Sequence, residues 1–193
     1  RHGVALRLGE TVTGFQQDGD SVLTLLEESE PLRSDMVLLA IGVTPDTHLA
    51  KEAGLELGIR GSIAVNERME TSVPDIYAVG DAIEYPHPLT GKPWLNYLAN
   101  PANRQGRIVA DNMALGNTTS YEGAIGTSIA KVFDMTVAST GLAAKRLKQW
   151  GMEYQSSVTH SASHAGYYPD ALPLTLKLTF HPKTGKLYGA QCV

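Results

Sequence analysis

The chain has 193 residues, a hydrophobic content of 42% and a formal net charge of −4, so it is long enough for one or two domains with a real core. Its mild acidity argues against nucleic acid or an anionic membrane as the main partner, and no apolar run is long enough to span a bilayer, the longest being residues 36–43. It shows no signal peptide and a single cysteine, Cys192, which excludes an intrachain disulfide, so we expect a cytoplasmic protein.

Both ends of the sequence are apolar. It opens with Val4-Ala5-Leu6 and stops within the apolar run of residues 187–193. Because a domain rarely ends within a strand and without a polar tail, we interpret the sequence as a piece of a longer polypeptide.

Residues 1–43 are expected to form β-structure, because apolar or β-branched runs alternate there with turn formers such as residues 18–20. The predicted strands are residues 4–8, 11–16, 21–26 and 36–41. A short helix should follow, capped by Asp46 or Thr47, continuing through Ala53 and closed by Gly54. Two further strands are predicted at residues 62–65 and 76–79, the second ended by Gly80-Asp81.

Residues 83–96 hold three of the ten prolines and are interpreted as a loop. A helix is predicted from about Pro101 to Leu115, since proline suits a first helical turn and Asn100 suits the cap. Ile108, Val109 and Met113 form its predicted apolar stripe. Gly116-Asn117 is expected to end the helix.

The pattern changes after Tyr121, where an α+β unit with an antiparallel sheet is predicted. Its strands are residues 127–132, 135–140, 153–159, 174–180 and 186–193, and its helix is residues 142–150. A hairpin turn at residues 182–185 joins the last two strands. The predicted fold class is therefore α/β followed by α+β, with a boundary near residue 120.

The run that ends in Gly80-Asp81 carries the first candidate site. A strand that ends in Gly-Asp at the carboxyl edge of an open α/β sheet is a ligand-binding arrangement. Gly80 lets the backbone approach a ligand, and Asp81 offers an acceptor-only carboxylate that suits a polyol such as a flavin ribityl chain. An isolated Gly-Asp is usually a plain strand-to-turn junction. Here the whole pattern Thr-x-x-Pro-x-Ile-Tyr-Ala-x-Gly-Asp spans residues 71–81, with Ala82 completing it, and favours function.

This pattern resembles the second FAD fingerprint of the pyridine nucleotide-disulfide oxidoreductases, in which the aspartate that matches Asp81 binds the ribityl hydroxyls. Residues 39–46 resemble the segment that closes the NAD(P)H domain of that family, and Gly42 matches its glycine near the nicotinamide side. The resemblance implies FAD and NAD(P)H as cofactors. It also implies three parts: the end of an NAD(P)H-binding domain at 1–45, the carboxyl-terminal part of an FAD-binding domain at 46–120, and a truncated dimerisation domain at 121–193.

Residues 98–107 resemble the family's helix whose amino end points at the flavin pyrimidine ring. A helix amino end carries about half a positive charge and free N–H donors, which would stabilise an anionic reduced flavin and favour hydride uptake from NAD(P)H. Leu98 and Ala99 would supply backbone contacts there. Asn100 stands where many relatives have glycine, but asparagine also caps helices well.

Residues 160–170 resemble the His-Ala-x-Tyr-Tyr-Pro-Gly stretch of coenzyme A-disulfide reductases and of related NADH oxidases and persulfide reductases. In that group the carboxyl-terminal domain forms a homodimer, and a tyrosine reaches the redox centre of the partner subunit. Tyr167 or Tyr168 matches that tyrosine, and its phenol could donate to a developing thiolate. The alternative is that both tyrosines only pack at a dimer interface. Asp170 stands where glycine is common, so the turn geometry of this loop could differ.

No metal site is predicted. His160 and His164 have the i, i+4 spacing of helical zinc ligands, but Gly166 and Pro169 argue against a helix and no third ligand is evident. Cys192 is expected to lie in a core strand, buried and inert.

The family's two glycine-rich dinucleotide fingerprints and its redox-active cysteine are absent from this sequence. The resemblance therefore implies part of an FAD-dependent NAD(P)H oxidoreductase. Electrons would pass through the flavin and a redox cysteine outside this sequence to a small-molecule disulfide or persulfide such as coenzyme A disulfide. Two alternatives remain: an NADH oxidase or peroxidase that reduces oxygen or peroxide, and an inactive fragment that only dimerises.

Overall fold

A computed structural model describes residues 2–193 of the chain. These residues form a mixed α/β structure with three sheets. They divide into two compact units, of which the first ends at Val43 and the second is Thr44–Val193.

The first unit contains one antiparallel sheet. Its strands are β1 (Val12–Asp18), β2 (Ser21–Leu26) and β3 (Leu32–Ser34), in the order β1-β2-β3. The predicted strands at 11–16 and 21–26 are confirmed, with the turn at Gly19, whose φ of 60° suits glycine. Arg33 Nε lies 2.8 Å from Asp18 Oδ2 and ties the third strand to the first.

The predicted strands at residues 4–8 and 36–41 are wrong. Both segments lack regular structure, and their side chains are exposed, as Leu6 at 75% and Leu38 at 84% show. An apolar run is stable as a strand only where neighbouring strands pair with its backbone and cover its faces. Within residues 2–193, no strand pairs with either segment.

The first part of the second unit surrounds a small mixed sheet. Strands β4 (Ile63–Ala64) and β5 (Ile83–Pro86) are parallel, and β6 (Pro93–Trp94) pairs antiparallel with β5. The helices are α1 (His48–Glu52) and α2 (Ala99–Leu115), and 3₁₀ turns lie at Ile59–Gly61 and Gly80–Ala82.

Three predictions in this part need correction. Residues 76–79 are not a strand, because only Tyr77 pairs, in a single bridge with Glu70. Residues 83–96 are not simply a loop, since they contain the β5–β6 pair, whose outer register position joins Pro86 to Pro93 at a sheet edge where proline is tolerated. The helix at 48–52 is confirmed, but the Thr47 hydroxyl donates to the Gly61 carbonyl (2.6 Å) and does not cap it.

Helix α2 begins two residues earlier than predicted. Leu98 occupies the cap position, so Asn100 lies inside the first turn and its predicted role as the cap is wrong. Met113 is 66% exposed and does not belong to the buried face. That face contains the polar Gln105 and Asn112 together with Pro101, while Ile108 and Val109 pack against the core as expected.

The rest of the second unit is one antiparallel sheet in the order β7-β8-β11-β10-β9. Its elements are β7 (Thr127–Val132), β8 (Met135–Gly141), α3 (Ala144–Gln149), β9 (Gln155–Ala162), β10 (Pro173–Phe180) and β11 (Leu187–Cys192). All five predicted strands are confirmed, β7 with the predicted bounds and the other four with shifted ends, and α3 is shorter than predicted. Cys192 lies in β11 as expected, but it is half-buried and not fully buried.

Two groups of buried side chains form the core of the second unit. Met69, Ile83, Tyr85 and Tyr121 form the first, and Leu142, Leu147 and Tyr188 form the second. None of the helices in the described part of the chain is long and apolar enough to cross a membrane.

Candidate functional site

The segment before Gly80 is shaped by a closed turn. The Thr71 amide donates to the Ile76 carbonyl (2.9 Å), and the Thr71 hydroxyl accepts from the Val73 amide (3.3 Å). Asp75 has a φ of 63° within this turn. The Ala78 amide then donates to the Met69 carbonyl (3.1 Å), so residues 76–79 run extended into the 3₁₀ turn.

Gly80 fastens this turn to helix α2. Its amide donates to Gln105 Oε1 at 2.8 Å, and Gln105 is 2% exposed. A Cβ atom on Gly80 would lie 3.9 Å from the Ala102 Cβ, which leaves space, but the φ of 83° favours glycine. Asp81, the next residue, therefore lies beside the first turns of α2. Gln105 is not among the site residues predicted from the sequence. Its position four residues after Pro101 places both residues on one face of α2.

The Asp81 carboxylate is available to a ligand. The residue is exposed, and its carboxylate has no hydrogen bond or ion pair with any other residue in the range 2–193. A carboxylate accepts hydrogen bonds and donates none, so it selects hydroxyl or N–H groups. Ala82, which completes the 3₁₀ turn, is half-buried and directs the chain into β5.

The amino end of α2 supplies free donors. The cap residue Leu98 is extended and has no side-chain cap bond, and its carbonyl accepts from the Ala102 amide at 3.3 Å. The amides of Ala99 and Asn100 find no acceptor among the residues that the structure describes, and Pro101 has no N–H. This end therefore presents two N–H groups and the positive end of the helix dipole to an acceptor.

A cleft of about 500 Å³ opens at this helix end. Its wall includes Leu98, Ala99, Asn100, Arg104 and Tyr121. Tyr121 is 5% exposed, and its hydroxyl lacks a hydrogen-bond partner within the described residues. Neither Arg104 nor Tyr121 was predicted as a site residue. Arg104 lies within the motif at residues 98–107, where only the backbone of the helix end was considered, and Tyr121 lies outside the motifs that carry the family resemblance.

The two candidate tyrosines lie on a loop between β9 and β10. Tyr167 and Tyr168 are 84% and 61% exposed, with ring centroids 4.9 Å apart. Asp170 has a φ of 62°, the conformation that glycine adopts easily, so the departure from the family glycine preserves a glycine-like turn. In the part of the chain described, no hydrogen bond or ring contact joins this loop to Asp81 or to the amino end of α2.

A chain of hydrogen bonds closes the same loop. The Leu172 amide donates to Ser163 Oγ (3.1 Å), Ser163 Oγ lies 3.1 Å from His164 Nδ1, and His164 Nε2 lies 3.0 Å from the Pro169 carbonyl. Because a carbonyl only accepts, His164 Nε2 is the donor in its contact with Pro169, and in the neutral ring this leaves Nδ1 to accept from the serine hydroxyl.

His160 and Gly42 are the remaining candidate residues. His160 is in strand β9, where Nδ1 lies 3.0 Å from Thr175 Oγ1, so it does not share a helix face with His164. The described residues contain no group of three potential metal ligands. Gly42 belongs to the first compact unit and has a φ of 89°.

Two comparisons of sequence place the chain among known proteins. The pattern of the family described as pyridine nucleotide-disulphide oxidoreductase matches residues 1–108, more than half of the chain. The NAD(P)H sulfur oxidoreductase (CoA-dependent) of Pyrococcus abyssi is 33% identical over 190 residues, which are 98% of this chain and 42% of that protein.

Two solved structures are similar to the chain. The reduced CoADR-RHD of Bacillus anthracis has a TM-score of 0.88 and 48% identity, covering 95% of this chain and 32% of that one. The water-forming NADH oxidase of Lactobacillus brevis, bound to NADH, has a TM-score of 0.92 and 30% identity, covering 99% of this chain and 42% of that one. The chain thus spans less than half the length of each of these proteins. It belongs to the pyridine nucleotide-disulphide oxidoreductase family.

Proposed function

We propose that the chain supplies the ribityl and pyrimidine side of an FAD site in an FAD-dependent NAD(P)H oxidoreductase that reduces a small-molecule disulfide or persulfide. The observation that carries the proposal is the hydrogen bond from Gly80 to Gln105, because it holds the unpartnered Asp81 carboxylate beside the amino end of α2. A ligand that offers both hydroxyl groups and polar ring atoms can use this acceptor and these donors together.

The residues present fit FAD. The Asp81 carboxylate accepts from ribityl hydroxyls, and the amides of Ala99 and Asn100 donate to electron-rich atoms of a pyrimidine ring. Gly80 has no side chain to occupy the space between its backbone and helix α2. FAD, when bound, takes up hydride from NAD(P)H and passes electrons onward. The positive end of α2 favours the negative charge that accompanies this uptake.

The electron acceptor is assigned from the relatives and from the tyrosine loop. The Pyrococcus abyssi relative is named a CoA-dependent sulfur oxidoreductase, and this chain carries the two exposed phenols of Tyr167 and Tyr168. A phenol is a neutral donor at pH 7 and can stabilise a developing thiolate. We therefore assign a thiol or disulfide substrate of the coenzyme A type.

Oxygen is the second candidate acceptor, since the Lactobacillus brevis structure is a water-forming NADH oxidase. Coenzyme A disulfide and oxygen can be offered separately to the NADH-reduced protein that includes the redox cysteine. Faster reoxidation by the disulfide supports the first assignment, and Tyr167→Phe and Tyr168→Phe then show which phenol acts. Reoxidation by oxygen alone favours the oxidase.

We assign the domains as 1–45, 46–120 and 121–193, with the third forming a cytoplasmic homodimer. Support comes from exposed apolar side chains that line one cleft of this part of the chain, including Ile129 (72%), Met135 (57%) and Leu172 (63%). Monomeric soluble proteins rarely expose large contiguous apolar patches. Sedimentation of the purified protein tests this assignment, and a monomer at micromolar concentration would contradict it.

Titration with FAD tests the central proposal. The purified protein should quench flavin fluorescence saturably, and Asp81→Asn should weaken FAD binding by about 1–3 kcal/mol, the usual effect of losing a charged hydrogen bond. Asp111→Asn, which neutralises an exposed carboxylate on α2, is the matched control and should leave the affinity unchanged. Absence of any FAD binding would instead support an inactive dimerising fragment.

A further inference from the structure

A second cleft, of about 500 Å³, lies in the second unit and shares no lining residue with the cleft at the amino end of α2. The side chains that give it its character are Arg60, Lys92, Trp94, Tyr97, Arg146 and Trp150. They come from the first 3₁₀ turn, from β6 and the residues beside it, and from α3 and its carboxyl end. The proposed flavin function uses none of them.

Aromatic rings and cations alternate in this cleft. The rings of Trp94 and Trp150 have centroids 5.9 Å apart and an interplanar angle of 81°. The Arg146 guanidinium lies 5.6 Å from the centroid of each ring, and the Lys92 ammonium lies 5.1 Å from that of Trp150. The buried His87 ring packs against Trp94 in a T-shaped arrangement, with ring centroids 5.0 Å apart. Two cations therefore share one tryptophan.

Lys92 and Arg146 carry charges that the described residues do not neutralise. Neither Lys92 nor Arg146 has a carboxylate within ion-pair distance among residues 2–193. Glu84, which bonds the Ile59 amide at the rim, also accepts from the Ser62 hydroxyl and is held there. Two like charges near the same ring repel each other, and a bound anion would reduce this repulsion.

The cleft offers hydrogen-bond donors from its charged side chains. The Arg146 guanidinium and the Lys92 ammonium only donate, so they are complementary to a ligand rich in acceptor oxygens. Trp94 Nε1 and the Tyr97 hydroxyl also have no hydrogen-bond partner in the described structure, but both atoms are shielded from solvent and therefore do not face the cleft.

We propose that this cleft binds a phosphorylated nucleoside, with the phosphate held by Lys92 and Arg146 and the base held against the two tryptophans. Phosphate supplies the negative charge and the acceptor oxygens. A heteroaromatic base supplies the planar partner that tryptophan faces and guanidinium groups bind. The cleft volume lies within the range of about 300–1,000 Å³ that is usual for small-molecule sites.

Tryptophan fluorescence tests this proposal directly, because Trp94 and Trp150 are the only two tryptophans of the chain and both line the cleft. ADP is the probe, added to the purified chain without FAD. We expect saturable quenching and a 1:1 stoichiometry by calorimetry. Arg146→Gln should weaken ADP binding at least tenfold, and Lys92→Gln provides a second variant at an exposed position.

Lys148→Gln is the control, since it removes the same charge from the same helix at an exposed position without a ring contact. It should change the ADP affinity less than twofold, with far-UV circular dichroism confirming that all variants fold. Three outcomes overturn the proposal: no saturable quenching, an equal loss in the Lys148 control, or inorganic phosphate binding as tightly as ADP. The last would show an anion site that ignores the base.

Discussion

The Gly80 amide donates a 2.8 Å hydrogen bond to the side-chain oxygen of Gln105, across 25 residues of sequence. Through this bond a buried amide side chain on α2 fixes the turn that carries Asp81. The position of Asp81 therefore depends on both Gly80 and Gln105, whether or not these two residues contact a ligand. The bond therefore connects the turn to the second turn of α2.

Gln105→Leu should separate these two elements. The variant leaves the half-buried Gly80 amide without its acceptor, which should cost about 1 kcal/mol of the free energy of unfolding, and FAD binding should weaken as well. Urea unfolding and FAD titration measure the two effects. Arg107→Leu, at an exposed position two residues further along α2, should change neither by more than about 0.5 kcal/mol. Loss of stability with unchanged FAD affinity would show that Gln105 does not position the flavin site.

A pair of glycine substitutions should have opposite signs. Gly80→Ala places an L-residue at a φ of 83° and should destabilise by about 1–2 kcal/mol, although its Cβ meets nothing closer than 3.9 Å. Gly106→Ala, inside α2 with no atom within 4 Å of the added Cβ, should stabilise by about 0.5–1 kcal/mol, because alanine favours the helix. Thermal unfolding compares them. Equal shifts of the melting temperature would contradict the conformational argument.

The sequence predicted the carboxyl-terminal sheet well because its strands pair with one another. Strand β10, for example, pairs with both β9 and β11, and local alternation with a hairpin turn was enough to locate all three. The runs at 4–8 and 36–41 carry an equally strong apolar pattern, but the pattern cannot supply a pairing strand. Pairing decides whether such a run becomes a strand.

The candidate site was predicted in part. The family resemblance implied that Gly80, Asp81 and the helix near Pro101 belong to one site, and in the structure Gly80 lies beside Ala102 and donates to Gln105 of that helix. The cap was misplaced because Asn100 has a strong intrinsic preference for that position, whereas extended Leu98 precedes the helix. Propensity ranks single residues, and it does not record the tertiary contacts that determine where a helix begins.

His164→Phe should loosen the tyrosine loop. The substitution removes the hydrogen bonds to Ser163 and to the Pro169 carbonyl, so hydrogen exchange should speed up at the Tyr168 and Leu172 amides. The global free energy of unfolding should fall by no more than about 1.5 kcal/mol for each lost hydrogen bond, because the loop is exposed. His160→Phe, in β9, should leave exchange in the loop unchanged. Equal exchange in both variants would show that His164 does not hold the loop.

His87 should make the second unit less stable in mild acid. Burial lowers the pKa of His87 below its usual value, with Nδ1 accepting from the Leu89 amide (3.2 Å) and Nε2 lacking a partner within the described residues. The unfolded chain therefore binds a proton more readily than the folded one. Stability is unaffected above the unfolded pKa, about 6.5, and decreases as the pH falls from there towards the lowered folded pKa.

The measurement is urea unfolding at several values of pH between 7.5 and 5. His87→Phe keeps an aromatic ring beside Trp94 but cannot be protonated, so its stability should change less over this interval than that of the unmodified protein. His48→Gln, which alters a histidine with a 75% exposed side chain, should retain the original pH dependence. If all three proteins lose stability in parallel, the loss comes from carboxylates elsewhere, and burial of His87 does not govern the acid sensitivity.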